Sequence, residues 1–205
     1  MYFPIFRGRQ FELLALRECV SRGILSNLII PIVEPVKVSS TYTKTVDSFI
    51  EANKAIAIIR NPQVGSWTKD LKKESNAKIR EQAIGQLKDV NVIPSFYVTP
   101  MLSACIKNAA QNGTDIESLL LLCNNPEYIG DYEEVIGDNT PLYNIIPDKG
   151  DFRRRIRLNR VMCEDHFPKQ TRNIDYLNID TEFFSSDHLY YMDDGYKGFS
   201  DYSVV

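Results

Sequence analysis

A short β-branched apolar run, a polar residue beside a proline, and then a helical stretch recur along this chain. Leu28–Val33 leads into Glu34-Pro35, Ala55–Ile59 leads through Arg60 into Asn61-Pro62, and Val92–Val98 leads into Thr99-Pro100. Leu119–Cys123 runs into Asn124-Asn125-Pro126, and Leu142–Ile146 into Pro147-Asp148. Apolar runs of this length, bounded by turn formers, fit strands buried on both faces of a parallel sheet. Proline lacks the ladder donor, so each strand is expected to stop there. Between the runs, helical spacing of apolar residues predicts helices over Gln10–Ser21, Thr43–Lys54, Thr68–Lys88 and Met101–Gln111, with a turn or two at Asp131–Ile136.

The repeat positions 34, 61, 99, 125 and 147 lie 27, 38, 26 and 22 residues apart. Strand–helix units at that interval argue for right-handed βαβ crossovers. Tyr2–Phe6 adds a sixth strand. Arg153–Cys163 adds a seventh, with Ile156, Leu158 and Val161 as its apolar members. Seven strands running one way make most of a TIM-type β/α-barrel, which takes about 250 residues. A doubly wound sheet is the alternative, but the glycine-rich first turn that usually opens one is missing. The expected fold is therefore a single α/β domain over 1–205, a β/α-barrel that is incomplete or truncated at its C-terminus. A partner chain, a domain swap or a homo-oligomer would cover its open edge.

The composition, 43% hydrophobic and 25% charged, belongs to a folded globular chain. A net charge of −3 argues against broad nucleic-acid coating. No apolar run approaches the roughly 20 residues that span a bilayer, and the first ten residues lack a signal-peptide core. Cys19, Cys105, Cys123 and Cys163 are scattered in apolar stretches without CxxC spacing, as reduced thiols of a cytoplasmic protein would be. The segment 164–205 differs from the rest, with nine acids against three bases and seven aromatics beyond residue 180. It reads as an ordered loop or contact surface on the C-terminal side of the barrel.

In parallel α/β folds, ligands meet the C-terminal ends of the strands. That rule nominates Glu34, Asn61, Thr99, Asn125 and Asp148 around one mouth, joined by Arg7 and Arg9 from the turn after the first strand. Glu34 would act as acid or base while the guanidinium groups bind phosphate or carboxylate. Asn61, Thr99 and Asn125 are equally the residue types that cap helices. Strand alternation would line Arg153, Arg155 and Arg157 along one side, with Arg155 a ligand for an anionic group. Two histidines follow acids, at Asp165-His166 and Asp187-His188. Asp165 and His166 could handle protons, and with Asp187 and His188 could hold a divalent metal, although the 22-residue spacing matches no metal motif. GxSxG, Walker A, GxGxxG and HExxH motifs are all missing.

The opening Tyr2-Phe3-Pro4-Ile5-Phe6-Arg7-Gly8-Arg9-Gln10-Phe11-Glu12-Leu13 resembles the start of the phage Beta protein family and its bacterial relatives. Further likeness lies in Ile30-Pro31-Ile32-Val33-Glu34-Pro35-Val36, Asn61-Pro62-Gln63-Val64-Gly65, Glu164-Asp165-His166-Phe167 and Phe184-Ser185-Ser186-Asp187-His188. It continues in Gly195-Tyr196-Lys197-Gly198-Phe199-Ser200-Asp201-Tyr202. The resemblance implies a β/α-barrel and a role in phage defence or toxin control. Relatives continue past the position of Tyr202, which adds to the expectation of a truncated barrel. The first functional expectation is thus an accessory protein of a mobile element, meeting a nearby-encoded protein partner, such as a toxin, through Tyr190, Tyr191 and Phe199. The second is an enzyme or sensor binding a phosphorylated or nucleotide-like ligand at the mouth. The third is a metal-dependent nuclease.

Overall fold

The computed structural model describes residues 1–164, 181 and 183–203. Strands and helices alternate from the start: β1 (Ile5–Phe6), α1 (Gln10–Ser21), β2 (Ile32–Val33), α2 (Ser40–Glu51), β3 (Ile56–Ile59), α3 (Trp67–Asp70) and α4 (Ala77–Gln86). They continue as β4 (Val92–Tyr97), α5 (Leu102–Gln111), β5 (Leu120–Leu122), α6 (Ile129–Ile136), β6 (Tyr143–Ile146) and α7 (Gly150–Arg155). The last are β7 (Arg160–Cys163), α8 (Asp187–Tyr190) and β8 (Gly198–Ser200). The sheet runs β1 through β8 in chain order, and every neighbouring pair is parallel.

The sheet curls back on itself. Tyr2 bridges Phe199 and Ile5 bridges Tyr202, both in the parallel sense. Along this seam the Phe3 N–H donates to Phe199 O at 2.9 Å, Ile5 N–H to Asp201 O at 2.8 Å, and Ser203 N–H to Ile5 O at 2.9 Å. Ile5 pairs with Ile32, and following the strand registers onward from there reaches position 194 in line with β8. The residue that bridges Ile5 is Tyr202, eight positions further on. Eight strands with a stagger of eight is the geometry of the TIM barrel, in which alternate strands supply the four side chains of each interior level. Those levels are Phe3, Ala57, Leu120 and Val161; then Ile32, Ser95, Ile145 and Ser200; then Ile5, Ile59, Leu122 and Cys163. All are buried except the partly covered Cys163. The two serines return their hydroxyls to backbone, Ser95 to Ile93 O at 3.1 Å and Ser200 to Phe3 O at 2.6 Å, so no polar atom is orphaned there.

Outside the barrel, the jacket of helices packs in two arcs. Leu13, Leu16, Tyr42, Val46, Phe49 and Trp67 cover the first strands, and Leu102, Ile106, Ile129, Tyr132 and Phe152 cover the later ones. Helix α1 begins where Glu12 accepts the Arg9 N–H at 2.9 Å, and α2 where Ser39 accepts the Tyr42 N–H at 3.2 Å.

The structure corrects the sequence reading at three places. First, the expected open edge is occupied, because β8 pairs with β7 and bridges β1; the strand lies inside the acidic aromatic segment. Second, Arg153 and Arg155 lie on α7 and not on a strand. Phe152 and Ile156 are both buried four residues apart, a helical spacing, and the three arginines end the helix where its dipole favours cations. Third, the single helix expected over 68–88 is broken. Asn76 Nδ2 donates to Asp70 O at 2.9 Å and Arg80 Nη1 to Leu71 O at 2.8 Å, so side chains take over the carbonyls at the break. As expected, Pro94 sits inside the strand run Val92–Val98, within β4. Pairing of β4 with β5 begins only at Ser95 with Leu120, so the donor that proline lacks would have had no strand to meet.

Gly198 marks the tightest point of the seam. A Cβ there would lie 2.7 Å from Met1 O and 2.7 Å from the Phe3 ring. Gly198→Ala is therefore expected to lower stability by about 1–3 kcal/mol in a denaturant melt. Gly130→Ala on α6, where a Cβ meets nothing within 4 Å, should leave stability unchanged or raise it by up to about 1 kcal/mol. Equal effects of the two would contradict the packing described.

Candidate functional site

The interior pattern does not stop at the third level. One step towards the C-terminal ends of the strands, the even strands bring Glu34, Tyr97 and Tyr202 inward on a common level, with Pro147. One step further, the odd strands bring Arg7, Asn61 and Asn124. The apolar interior thus ends in a polar layer at the mouth.

Glu34 is its centre and is only 4% exposed. Its Oε1 accepts the backbone N–H of Gln63 at 2.7 Å, and its Oε2 accepts the Tyr97 hydroxyl at 3.1 Å. A buried carboxylate is costly unless hydrogen-bonded, and these two donors, one from each side, meet that need. Tyr97 is itself clamped: Asn61 Oδ1 accepts its N–H at 2.8 Å, and Asn61 Nδ2 donates to its carbonyl at 2.9 Å. Gly8 lets the turn after β1 pass close by. It holds φ at +58°, and a Cβ there would lie 2.9 Å from Glu34 O.

Burial pushes the Tyr97 phenol far above its ordinary range, and the adjoining Glu34 carboxylate pushes it further, with Arg7 opposing. The Tyr202 phenol is pushed up to about 12, first by burial, then by Cys163 and Glu34; a hydrogen bond from Asn124 and the charge of Arg7 act the other way. Arg7 is thus close enough to act on both phenols, yet forms no ion pair with a described residue. Among the described residues, the mouth holds one carboxylate, one guanidinium, two protonated phenols and two amides: a group able to bind an anion set above one able to accept a proton.

The other nominated residues divide. Thr99 and Asn125 cap local turns, accepting the N–H of Met101 at 3.3 Å and of Glu127 at 3.0 Å. Arg9 lies exposed on the rim before α1. Asp148 follows β6 but turns to the outer wall, accepting the Tyr196 hydroxyl at 2.6 Å and pairing with Arg153 at 3.4 Å. Arg155 is in the helical layer, where Glu133 takes its guanidinium in two bonds, one of them 2.9 Å. It is placed away from the mouth. Tyr191 and Phe199 brace the seam: Phe199 stacks on Tyr2 at 4.8 Å and meets Tyr191 at 5.6 Å, while the Met1 amine donates to the Tyr191 hydroxyl at 2.7 Å. Tyr190 stays exposed. Asp187 and His188 open α8, the His188 ring 6.3 Å from Phe199. Asp165 and His166 lie outside the described residues. Among the described residues, no group of three or more His, Cys, Asp and Glu side chains is placed to hold a metal ion.

Tyr97, Tyr202, Asn124 and Gln63 were not nominated from sequence. Tyr97 could have been found by counting inward from Thr99 in steps of two, because alternate strand residues share a face. Cys19, Cys105, Cys123 and Cys163 form no disulfide, and no helix among the described residues is long and apolar enough to cross a membrane. The chain matches no protein-family model, no curated protein and no solved structure.

The raised phenols have a stability consequence. A tyrosine whose folded pKa exceeds its unfolded value stabilises fully below the unfolded pKa and loses that contribution as pH rises. For Tyr202 the window runs from its ordinary 10.0 to about 12. The denaturation midpoint should fall as pH rises through that window, and Tyr202→Phe should fall less steeply. An unchanged slope would contradict the buried setting of this phenol.

Proposed function

We propose that this protein is an enzyme or sensor that takes a small anionic ligand, phosphorylated or nucleotide-like, into the mouth of its barrel. One observation carries the reading: the buried Glu34–Tyr97 pair, beside Arg7, which has no ion-pair partner among the described residues, at the end of the barrel where such folds bind ligands. Arg7 binds the anion through its planar donor fork. Glu34, hydrogen-bonded to the Tyr97 hydroxyl, accepts or returns a proton. Arg9 on the rim adds positive field for an incoming anion. A cytoplasmic setting suits four cysteines that form no disulfide.

A thermal-shift titration tests this with inorganic phosphate, pyrophosphate and ADP. At least one should raise the melting temperature by about 3–5 °C at ten times its Kd. Arg7→Met should remove the shift while leaving the unliganded protein folded. No shift with any of the three, or shifts untouched by Arg7→Met, would count against the reading.

A second reading, an accessory protein of a phage-defence or toxin-control locus, draws support from a different surface. Leu189, Tyr190 and Met192 are 60%, 55% and 68% exposed on and just after α8, with Asp187, Asp193 and Asp194 around them. An exposed apolar patch rimmed by acids suits a protein partner. Tyr190→Ala combined with Leu189→Ala should then abolish stoichiometric co-purification with the product of an adjacent gene, at unchanged melting temperature. Capture that survives both substitutions would remove that surface from consideration.

A further inference from the structure

Resting on the ligand-binding reading above, we infer that the ligand carries a hydrogen-bond donor, a hydroxyl or ammonium group, on the same small molecule as its anion, and that Glu34 and Tyr97 select for that donor.

Donors and acceptors are arranged at the mouth level by level. A carboxylate offers about four acceptor sites and, when ionised, no donor. On Glu34 one site goes to the Gln63 N–H and one to the Tyr97 hydroxyl, and no other donor among the described residues reaches its side chain. The hydrogen of the Tyr97 hydroxyl is committed to Glu34, so its oxygen can only accept from anything above it. The inner level therefore presents acceptors that the described residues leave unfilled. One level outward, Arg7 offers five N–H donors and no acceptor, and no described carboxylate pairs with it.

That order, donors outside and acceptors inside, orients a ligand. Its anion meets Arg7, and whatever part reaches deeper meets a buried negative charge. A ligand that is only an anion gains from Arg7 but faces like charge at Glu34, where burial leaves little water to screen it. A hydroxyl or ammonium group on the inner end converts that repulsion into a charge-assisted hydrogen bond. It also puts an exchangeable proton within reach of Glu34, which suits the proton-accepting role given to this residue. The walls at this level are the rings of Tyr97 and Tyr202, which favour a short carbon skeleton between the two ends.

The test compares two phosphates of similar length on the full chain by isothermal titration: glycerol 3-phosphate, with hydroxyls, and propyl phosphate, without. Wild-type protein should bind glycerol 3-phosphate at least about tenfold more tightly. Glu34→Gln should shrink that ratio to about twofold or less by relieving repulsion towards propyl phosphate and weakening the donor contact. Arg7→Met should weaken both ligands together. Tyr97→Phe provides a second, milder probe of the inner level, and the wild-type ratio does not depend on any variant folding. Equal affinities in wild type would overturn the donor selection while leaving an Arg7-dependent anion site in place. Failure of both phosphates to bind would remove the site reading itself and this inference with it.

Discussion

The eight-residue stagger at the β8–β1 seam is the constraint on which the rest of this structure depends. Closing eight parallel strands with that offset fixes which residues share a level, because each step to the next strand climbs one position along the chain. It therefore decides that Glu34 of the second unit, Tyr97 of the fourth and Tyr202 of the last meet, although 63 residues separate the first two. A different stagger would bring other residues to the level of Glu34, though the Gln63 N–H, just past the neighbouring β3, would still reach its carboxylate. The seam itself consists of bridges and short contacts: the stacked Tyr2 and Phe199 rings, the Tyr2 hydroxyl on Asp201 Oδ1 at 2.7 Å, and the glycine at 198 that admits Phe3.

The mouth is organised by what burial does to charge. Below Glu34 the inward side chains are apolar apart from Cys163, two serines satisfied by backbone and Tyr143, whose hydroxyl meets Met1 Sδ at 3.7 Å, so the cluster of polar groups begins at one level. At that level burial keeps both phenols protonated far above neutral pH, which leaves Glu34 and Arg7 as the charges that the described residues present inside the mouth. They do not neutralise each other in a direct ion pair. Two charges held near but apart cost stability compared with a paired arrangement or an apolar one. Such a cost is compatible with the proposed ligand site.

Much of this fold is legible in the sequence, and the failures have identifiable causes. The helix over Gln10–Ser21 and the five proline-flanked runs can be read because burial on both faces demands unbroken apolar residues. The eighth strand cannot. Its inward positions are Gly198, Ser200 and Tyr202, small or polar because they face Phe3 and the mouth, so no apolar alternation marks it. Arg153–Cys163 misleads in the opposite way: Ile156, Leu158 and Val161 mimic alternation, while the helical pair Phe152 and Ile156 decides the conformation of the first half. In the site, Glu34, Arg7 and Asn61 are legible because they directly follow buried runs. Tyr97 and Tyr202 look like an ordinary strand residue and an aromatic of a contact surface until the stagger is known. Arg155 fails as a ligand because its nearest charge, Glu133, comes from a neighbouring helix, and tertiary pairing of that kind leaves no local mark.

One side chain links closure to chemistry. Glu12, on the first turn of α1, accepts the Arg9 N–H at 2.9 Å, the Arg7 N–H at 3.4 Å and the Ser203 hydroxyl at 2.6 Å. It gathers the turn that carries the guanidinium and the end of the strand that carries Tyr202. Both groups belong to the mouth, yet each sits at the edge of its element, where backbone is ordinarily least constrained. Holding them through a common carboxylate on a helix means that the last step of closing the barrel also sets the positions of Arg7 and Tyr202 relative to Glu34. A site built this way is assembled by the fold rather than by any one loop, and its geometry is as rigid as the seam that closes it.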